Sequence, residues 1–277
     1  VRIERRLWAA VEPLHAVVYF APETAEAAKA VGLRGYWMGY FAGRLAPLGP
    51  IGPEPATAVL FCFAPAMVAR ALPDAWTFAS PADVVASRLA AVSAALRRVL
   101  GDGHEELVTL LERAVGACRC DGRPLAAAWA AVPEPADPLA RLWRAATILR
   151  EHRGDGHVLA AVHAGLGGLE TTLTHIGDGV LGRADVEPHR GWSEGDWATA
   201  AAGLRDRGLL AADGRLTESG TAVRRRIEAD TDRLAAAPVA ALGSDVERLL
   251  ELAEPLSRAV IDAGLVPVPN PMGVSRP

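Results

Sequence analysis

Apolar residues recur every third or fourth position along most of this chain, so the pattern is helical. Ile3, Leu7, Trp8, Val11, Leu14, His15 and Val18 form one stripe over residues 3–20, with Pro13 expected to bend it. Pro22 opens a short helix that stops at Gly32. Over 81–100, Val84, Val85, Leu89, Val92, Leu96 and Val99 turn inward and leave Arg88, Arg97 and Arg98 outside. Further helices are predicted near 65–72, 103–117 and 124–132. Ser193, with Asp196 three residues on, caps a helix carrying Trp197, Ala201 and Leu204. Thr217 opens a long one with Val223, Ile227 and Leu234 inward. Two stretches break the pattern. Ala58 to Phe63, A-V-L-F-C-F, reads as a short buried strand stopped by Pro65. Leu209 to Leu216, L-L-A-A-D-G-R-L, reads as two short strands about an Asp-Gly turn.

The densest chemistry is Arg150 to His157, R-E-H-R-G-D-G-H. Leu139, Leu142, Trp143, Ala146 and Leu149 make a helix before it, and Gly154 suits a left-handed helix end. Asp155 then caps a following helix over 157–166, with another over 168–176. In that reading the octet is helix punctuation. In a second reading it is a polar corner: His152 and His157 exchange protons near neutral pH, Asp155 orients one of them, and Arg150 and Arg153 clamp an anion. His152, Asp155 and His157 also have zinc-type donors, but their spacing fits no ligand signature. No metal and no cofactor are therefore expected.

The two parts of the chain are built differently. All five Phe and all three Tyr fall between Tyr19 and Phe78. Gly35, Gly39 and Gly43 form a smooth ridge on one helix, flanked by Tyr36, Trp37, Tyr40 and Phe41 and followed by Arg44. The ridge serves close packing, or leaves room for a ligand beside an aromatic wall. His15 and Tyr19 are four apart and share a face, as a core pair or as a base–phenol pair in a pocket. The domains are expected to be an aromatic-rich helical unit at 1–120, a Pro-rich connector at 121–138, a second unit at 139–265 and an extended Pro-rich tail at 266–277.

Composition narrows the class. The chain has 277 residues, enough for two modest domains, and a formal net charge of −4, which does not favour a general nucleic-acid binder. Cys62, Cys118 and Cys120 make no disulfide framework. No apolar run is long enough to span a bilayer and no apolar region follows the basic N-terminus, so a cytoplasmic location is expected and no membrane partner.

The order helix, helix, helix, then L-R-D-R-G-L-L-A-A-D-G-R-L-T-E-S-G-T-A-V-R-R-R from Leu204 to Arg226, resembles the wing of MarR-type regulators. More broadly the chain resembles a family of actinobacterial helix-turn-helix proteins of unknown function. The shared phrases are E-P-L-H-A-V-V-Y-F-A-P-E from Glu12, G-Y-W-M-G-Y-F-A-G-R from Gly35, P-D-A-W from Pro73, R-E-H-R-G-D-G-H-V from Arg150 and N-P-M-G from Asn270. The resemblance covers nearly the whole chain. It implies a mainly α protein: a helical N-terminal half with a short buried strand, then a winged-helix domain of helix-turn-helix and small β-hairpin. The segment before the 58–63 strand has the order of a second, degenerate winged helix.

The residues pull away from base reading. The helix from Ser193 to Arg207 starts with Glu194 and Asp196 and presents Ala198, Thr199, Ala202, Gly203 and Asp206, with none of the side chains that grip base edges. Arg215, Arg224 and Arg225 are the weak DNA-contact candidates. Three readings follow. In the first, a small molecule binds between the aromatic half and the octet. Tyr19, Tyr36, Trp37, Tyr40, Phe41, Arg44, Arg150 and Arg153 are its binding candidates, and His15, His152, His157 and Asp155 the candidates for proton transfer if a reaction occurs. In the second, the chain is a MarR-like regulator sensing an effector. In the third, it is a protein-interaction partner without a ligand. Oligomerisation is left open.

Overall fold

Prolines and polar caps set where the helices begin. The computed structural model describes residues 2–277. In chain order the helices are α1 (Ile3–Phe20), α2 (Pro22–Ala30), α3 (Gly35–Leu45), α4 (Pro53–Val59), α5 (Pro65–Ala69), α6 (Ala75–Phe78), α7 (Pro81–Leu100) and α8 (Glu105–Gly116). They continue as α9 (Pro124–Ala131), α10 (Pro138–His163), α11 (Gly168–Gly177), α12 (Arg183–Val186), α13 (Glu194–Asp206), α14 (Glu218–Leu234), α15 (Ala236–Leu242) and α16 (Asp245–Asp262). Proline opens α2, α4, α5, α7, α9 and α10, where its fixed φ suits the first turn and its missing N–H costs nothing. Ser193 and Asp196 close a reciprocal capping box on α13, at 3.2 and 2.9 Å, and Thr217 caps α14.

Three apolar clusters hold these helices. The largest joins α1, α7, α8, α10 and α16, with Trp129 and Trp143 meeting edge to face at 5.3 Å. The second gathers the aromatic segment around Phe41 and Phe63. The third packs Leu169 and Leu173 of α11 against Trp197 and Leu204 of α13 and Ile227 of α14. The tail is strapped down: Asn270 donates to the Pro267 and Val274 carbonyls and accepts from the Met272 and Val274 amides, and Val266 and Val274 are buried.

The fold class departs from the sequence reading, because no β-strand occurs among the described residues. The predicted strand at 58–63 is the end of α4 followed by a turn. Pro65, read as a strand stop, instead opens α5, and no neighbouring strand is there to supply a ladder. The predicted hairpin at 209–216 is reduced to a single bridge between Leu210 and Leu216. Five residues between them are consumed by the turn, and two strands this short do not persist without a third. The winged-helix assignment therefore falls, and with it the proposed N-terminal echo.

Two further expectations change. Gly154 does not end a helix; α10 runs unbroken from Pro138 to His163 and carries the whole octet in its middle. Burial on nearly every side of α10, by α1, α7, α8, α9 and α14, offsets the roughly 1 kcal/mol that each interior glycine costs. Arg88, expected outside, is buried. Its guanidinium fills the space above Gly43 and lies 5.6 Å from the ring centres of both Tyr19 and Trp143. No helix among the described residues is long and apolar enough to cross a membrane.

These placements separate two glycines. A methyl at Gly168 would collide with the Phe61 carbonyl oxygen, whereas one at Gly154 meets only side-chain ends at 3.8 Å. Gly168→Ala should therefore lower stability by about 1–3 kcal/mol, while Gly154→Ala should raise it by up to ~1 kcal/mol. Urea unfolding midpoints check both. A destabilised Gly154→Ala would speak for the broken helix.

Candidate functional site

Once α10 is continuous, its octet sorts by helical spacing. Arg150, Arg153, Gly154 and His157 follow the i, i+3, i+4, i+7 rule and face one cavity of about 390 Å³. Glu12 and Arg5 of α1, Tyr40 and Arg44 of α3, Thr172 and His175 of α11, and Arg224 and Glu228 of α14 complete its polar wall. The aromatic helix and the octet thus meet at one cavity through Tyr40 and Arg44.

A buried ion network forms the floor. Glu151, almost fully buried, accepts two hydrogen bonds from Arg44 at 3.1 and 3.0 Å and one from Arg150 at 2.7 Å. Arg150 also reaches Glu12 at 3.4 Å, and Glu12 accepts from the Trp8 indole at 2.8 Å. Burial pushes the Glu151 carboxyl up, but Arg150 and Arg44 outweigh it and hold the group ionised. Glu12, with fewer partners, has its pKa raised by burial.

The opposite wall is built from α14. Arg153 donates to Asp232 at 2.8 Å, and Arg5 and Arg224 both make ion contacts with Glu228. Arg224 Nη2 is taken by Glu228, and its Nη1 has no hydrogen-bond partner. Burial lowers its pKa to about 10. His157 Nδ1 lies 3.1 Å from Thr231 Oγ1, and its Nε2 lies 3.4 Å from His175 Nε2. Burial first, then Arg224, keeps both imidazoles neutral, His175 down at about 3.

Other predicted residues are used differently. Asp155 borders the cavity, but it caps a helix across space: its carboxylate accepts from the Leu125 and Ala126 amides at the start of α9, both at 3.0 Å. His152 turns to the far side of α10, where its Nε2 accepts from Arg123. His152, Asp155 and His157 therefore form no common metal cluster. His15 is buried between Thr147 at 2.9 Å and Tyr19 at 3.0 Å, stacked on Trp143, and lines neither cavity. Tyr19 and Tyr36 line a larger space of about 790 Å³ between α2, α3 and α7, whose wall is mostly apolar. Trp37 and Phe41 belong to the aromatic core. Arg215 and Arg225 are exposed, but Arg224 is turned inward and unavailable to a DNA backbone.

Sequence reasoning missed His175, Glu228 and Arg5. One signal was present. Thr171, Thr172 and His175 put a polar stripe on α11, a helix whose inward apolar positions are Leu169 and Leu173.

The model of a helix-turn-helix family matches residues 4–267. The chain belongs to that helix-turn-helix family. No characterised protein and no solved structure matches it.

Burial followed by nearby arginines pushes His15 well below its usual 6.5, and burial followed by Arg123 pushes His152 down to about 4. The unfolded chain then binds these protons more readily than the folded one. Their contribution to stability is full above pH 6.5 and is lost as pH falls towards 4. Asp155, raised to about 6 mainly by burial, has the opposite sign: its contribution is full below its ordinary pKa and is lost as pH rises through 6. His152→Gln should therefore flatten the loss of stability on acidification, and Asp155→Asn should steepen it. Unfolding midpoints at about pH 7 and about pH 5 give both slopes. A His152→Gln profile parallel to the parent's would contradict the assignment.

Proposed function

We propose that this helix-turn-helix-family protein binds a small anionic molecule in the cavity between α1, α3, α10, α11 and α14. The observation behind this reading is charge. Six arginines line the cavity (Arg5, Arg44, Arg150, Arg153, Arg190, Arg224) against five carboxyl groups (Glu12, Glu151, Asp155, Asp178, Glu228). Six against five leaves the lining formally positive by one charge, and burial raises the pKa values of Glu12 and Asp155. Arg224 is the anchoring group, since its Nη1 has no hydrogen-bond partner while Nη2 holds Glu228, and a guanidinium suits a carboxylate or phosphate. Tyr40 supplies the aromatic side.

Family membership supports a second reading, a DNA-binding regulator. The exposed residues of α13 argue against base reading: Glu194, Gly195, Asp196, Ala198, Thr199 and Ala202 offer no bidentate donor to a base edge, its exposed arginine, Arg205, lies in the last turn, and the first turn is acidic. In our reading the family scaffold serves the cavity.

Thermal unfolding with phosphate and a panel of mono- and dicarboxylates tests this, alongside retention of sheared DNA at low salt. At least one anion should raise the midpoint with dose, as mass action requires, and Arg224→Gln should abolish the rise. DNA should not be retained. No shift with any anion, together with DNA retention that falls steeply with salt, would overturn the reading in favour of the regulator.

A further inference from the structure

Three side chains in the cavity wall meet without an assigned purpose. His157 comes from α10, His175 from α11 and Glu228 from α14, and one ligand atom from each lies within 4.8 Å of the others. We propose that they form a binding site for a divalent transition-metal ion whose remaining positions open onto the cavity. Two imidazoles and one carboxylate are donors that zinc and iron(II) take, leaving room for water or a ligand.

The geometry supports this in three ways. The two Nε2 atoms are 3.4 Å apart, the separation set by metal–nitrogen bonds of about 2.1 Å at a tetrahedral angle. Two ring nitrogens that close need a proton or a cation between them. The tautomer of His157 is also arranged. Thr231 donates its hydroxyl hydrogen to the Ile227 carbonyl at 2.7 Å, so it can only accept from His157 Nδ1–H at 3.1 Å. That leaves the lone pair on Nε2, aimed at His175. A hydrogen bond on the far nitrogen is how ligating imidazoles are oriented. Finally, all three groups line the cavity, so an ion there is reachable from it.

Arg5, Arg153 and Arg224 are matched by Glu228, Asp232 and Asp178, so a divalent ion adds two positive charges that bound hydroxide or a small anion offsets. Arg5 and Arg153 are shared with Asp232, at 3.5 and 2.8 Å, and Asp178 lies in the same wall. Glu228 Oε2 faces Arg5 and, at 3.6 Å, Arg153, whereas Oε1 faces Arg224 alone and keeps a second lone pair. An ion on Glu228 frees Arg224 for an anion bound beside it. The inference concerns the same cavity as the proposed function but does not depend on it, because metal binding is read without any small molecule.

The experiment strips the purified protein with a chelator and titrates it with cobalt(II), followed by visible absorption and by calorimetry, with zinc(II) competition. The expected result is one equivalent bound, with ligand-field bands that zinc abolishes. His175→Gln and Glu228→Gln should each lose binding, and Thr231→Val should weaken it by about 10–100-fold. His152→Gln, on the far face of α10, should bind as the parent does. Circular dichroism screens out any variant that has not folded, and Thr231→Val, a same-sized change, keeps the test open if a ligand variant fails. Binding well below one equivalent in the parent, or binding unchanged in His175→Gln and Glu228→Gln, would overturn the proposal. An anion-induced stabilisation surviving in the metal-free protein would leave the proposed function standing whatever the cobalt result.

Discussion

Glu151 is a carboxylate with almost no exposure to solvent, held between Arg44 and Arg150. An unpaired charge in that position would be prohibitive, so the three groups must arrive together. That requirement fixes α3 against α10. Glu12, reached by Arg150, fixes α1 against the same helix. Once these are in register, the cavity exists between them, and α11 and α14 close its other side. A buried ion network is weak evidence for stability in itself. Here its consequence is placement: it sets polar groups from helices far apart in sequence around one space.

The same reasoning explains the two glycines of the octet. Gly156 lets Leu234 and the Arg123 guanidinium approach α10, at 3.4 and 3.8 Å from where a β-carbon would stand. Gly154 faces the cavity and keeps its floor low. Neither acts as a breaker, because α10 is gripped on both sides by other helices. Local propensity amounts to roughly 1 kcal/mol per glycine, and a 26-residue helix with fifteen buried residues recovers more than that from packing.

How much of this was legible in the sequence follows from what periodicity can register. The stripe on residues 3–20, the helix at 81–100 and the capping box at Ser193 are local signals and correspond to α1, α7 and α13. A-V-L-F-C-F and L-L-A-A-D-G-R-L look like strands because short apolar runs are ambiguous. Whether such a run pairs depends on a partner that sequence spacing does not reveal. The cavity wall was half legible. Tyr40, Arg44, Arg150, Arg153, Asp155 and His157 stood out through their own clusters, whereas His175 and Glu228 lie in helices whose polar positions look solvated until α11 and α14 are packed on α10. Arg224 shows the same limit from the other side. In a run of three arginines it reads as surface charge, yet the turn of α14 carries it inward beside Glu228.

The paired charge at Glu151 organises the helices around the cavity. Equilibrium unfolding of Glu151→Gln tests it most directly, with Glu112→Gln as the reference, since Glu112 pairs with Arg141 in a more exposed position. The account predicts that Glu151→Gln costs about 3–5 kcal/mol, because it leaves buried arginines without their counter-charge. Glu112→Gln should cost no more than about 1 kcal/mol. Equal, small losses in the two variants would show that the pairing at Glu151 does not organise the helices.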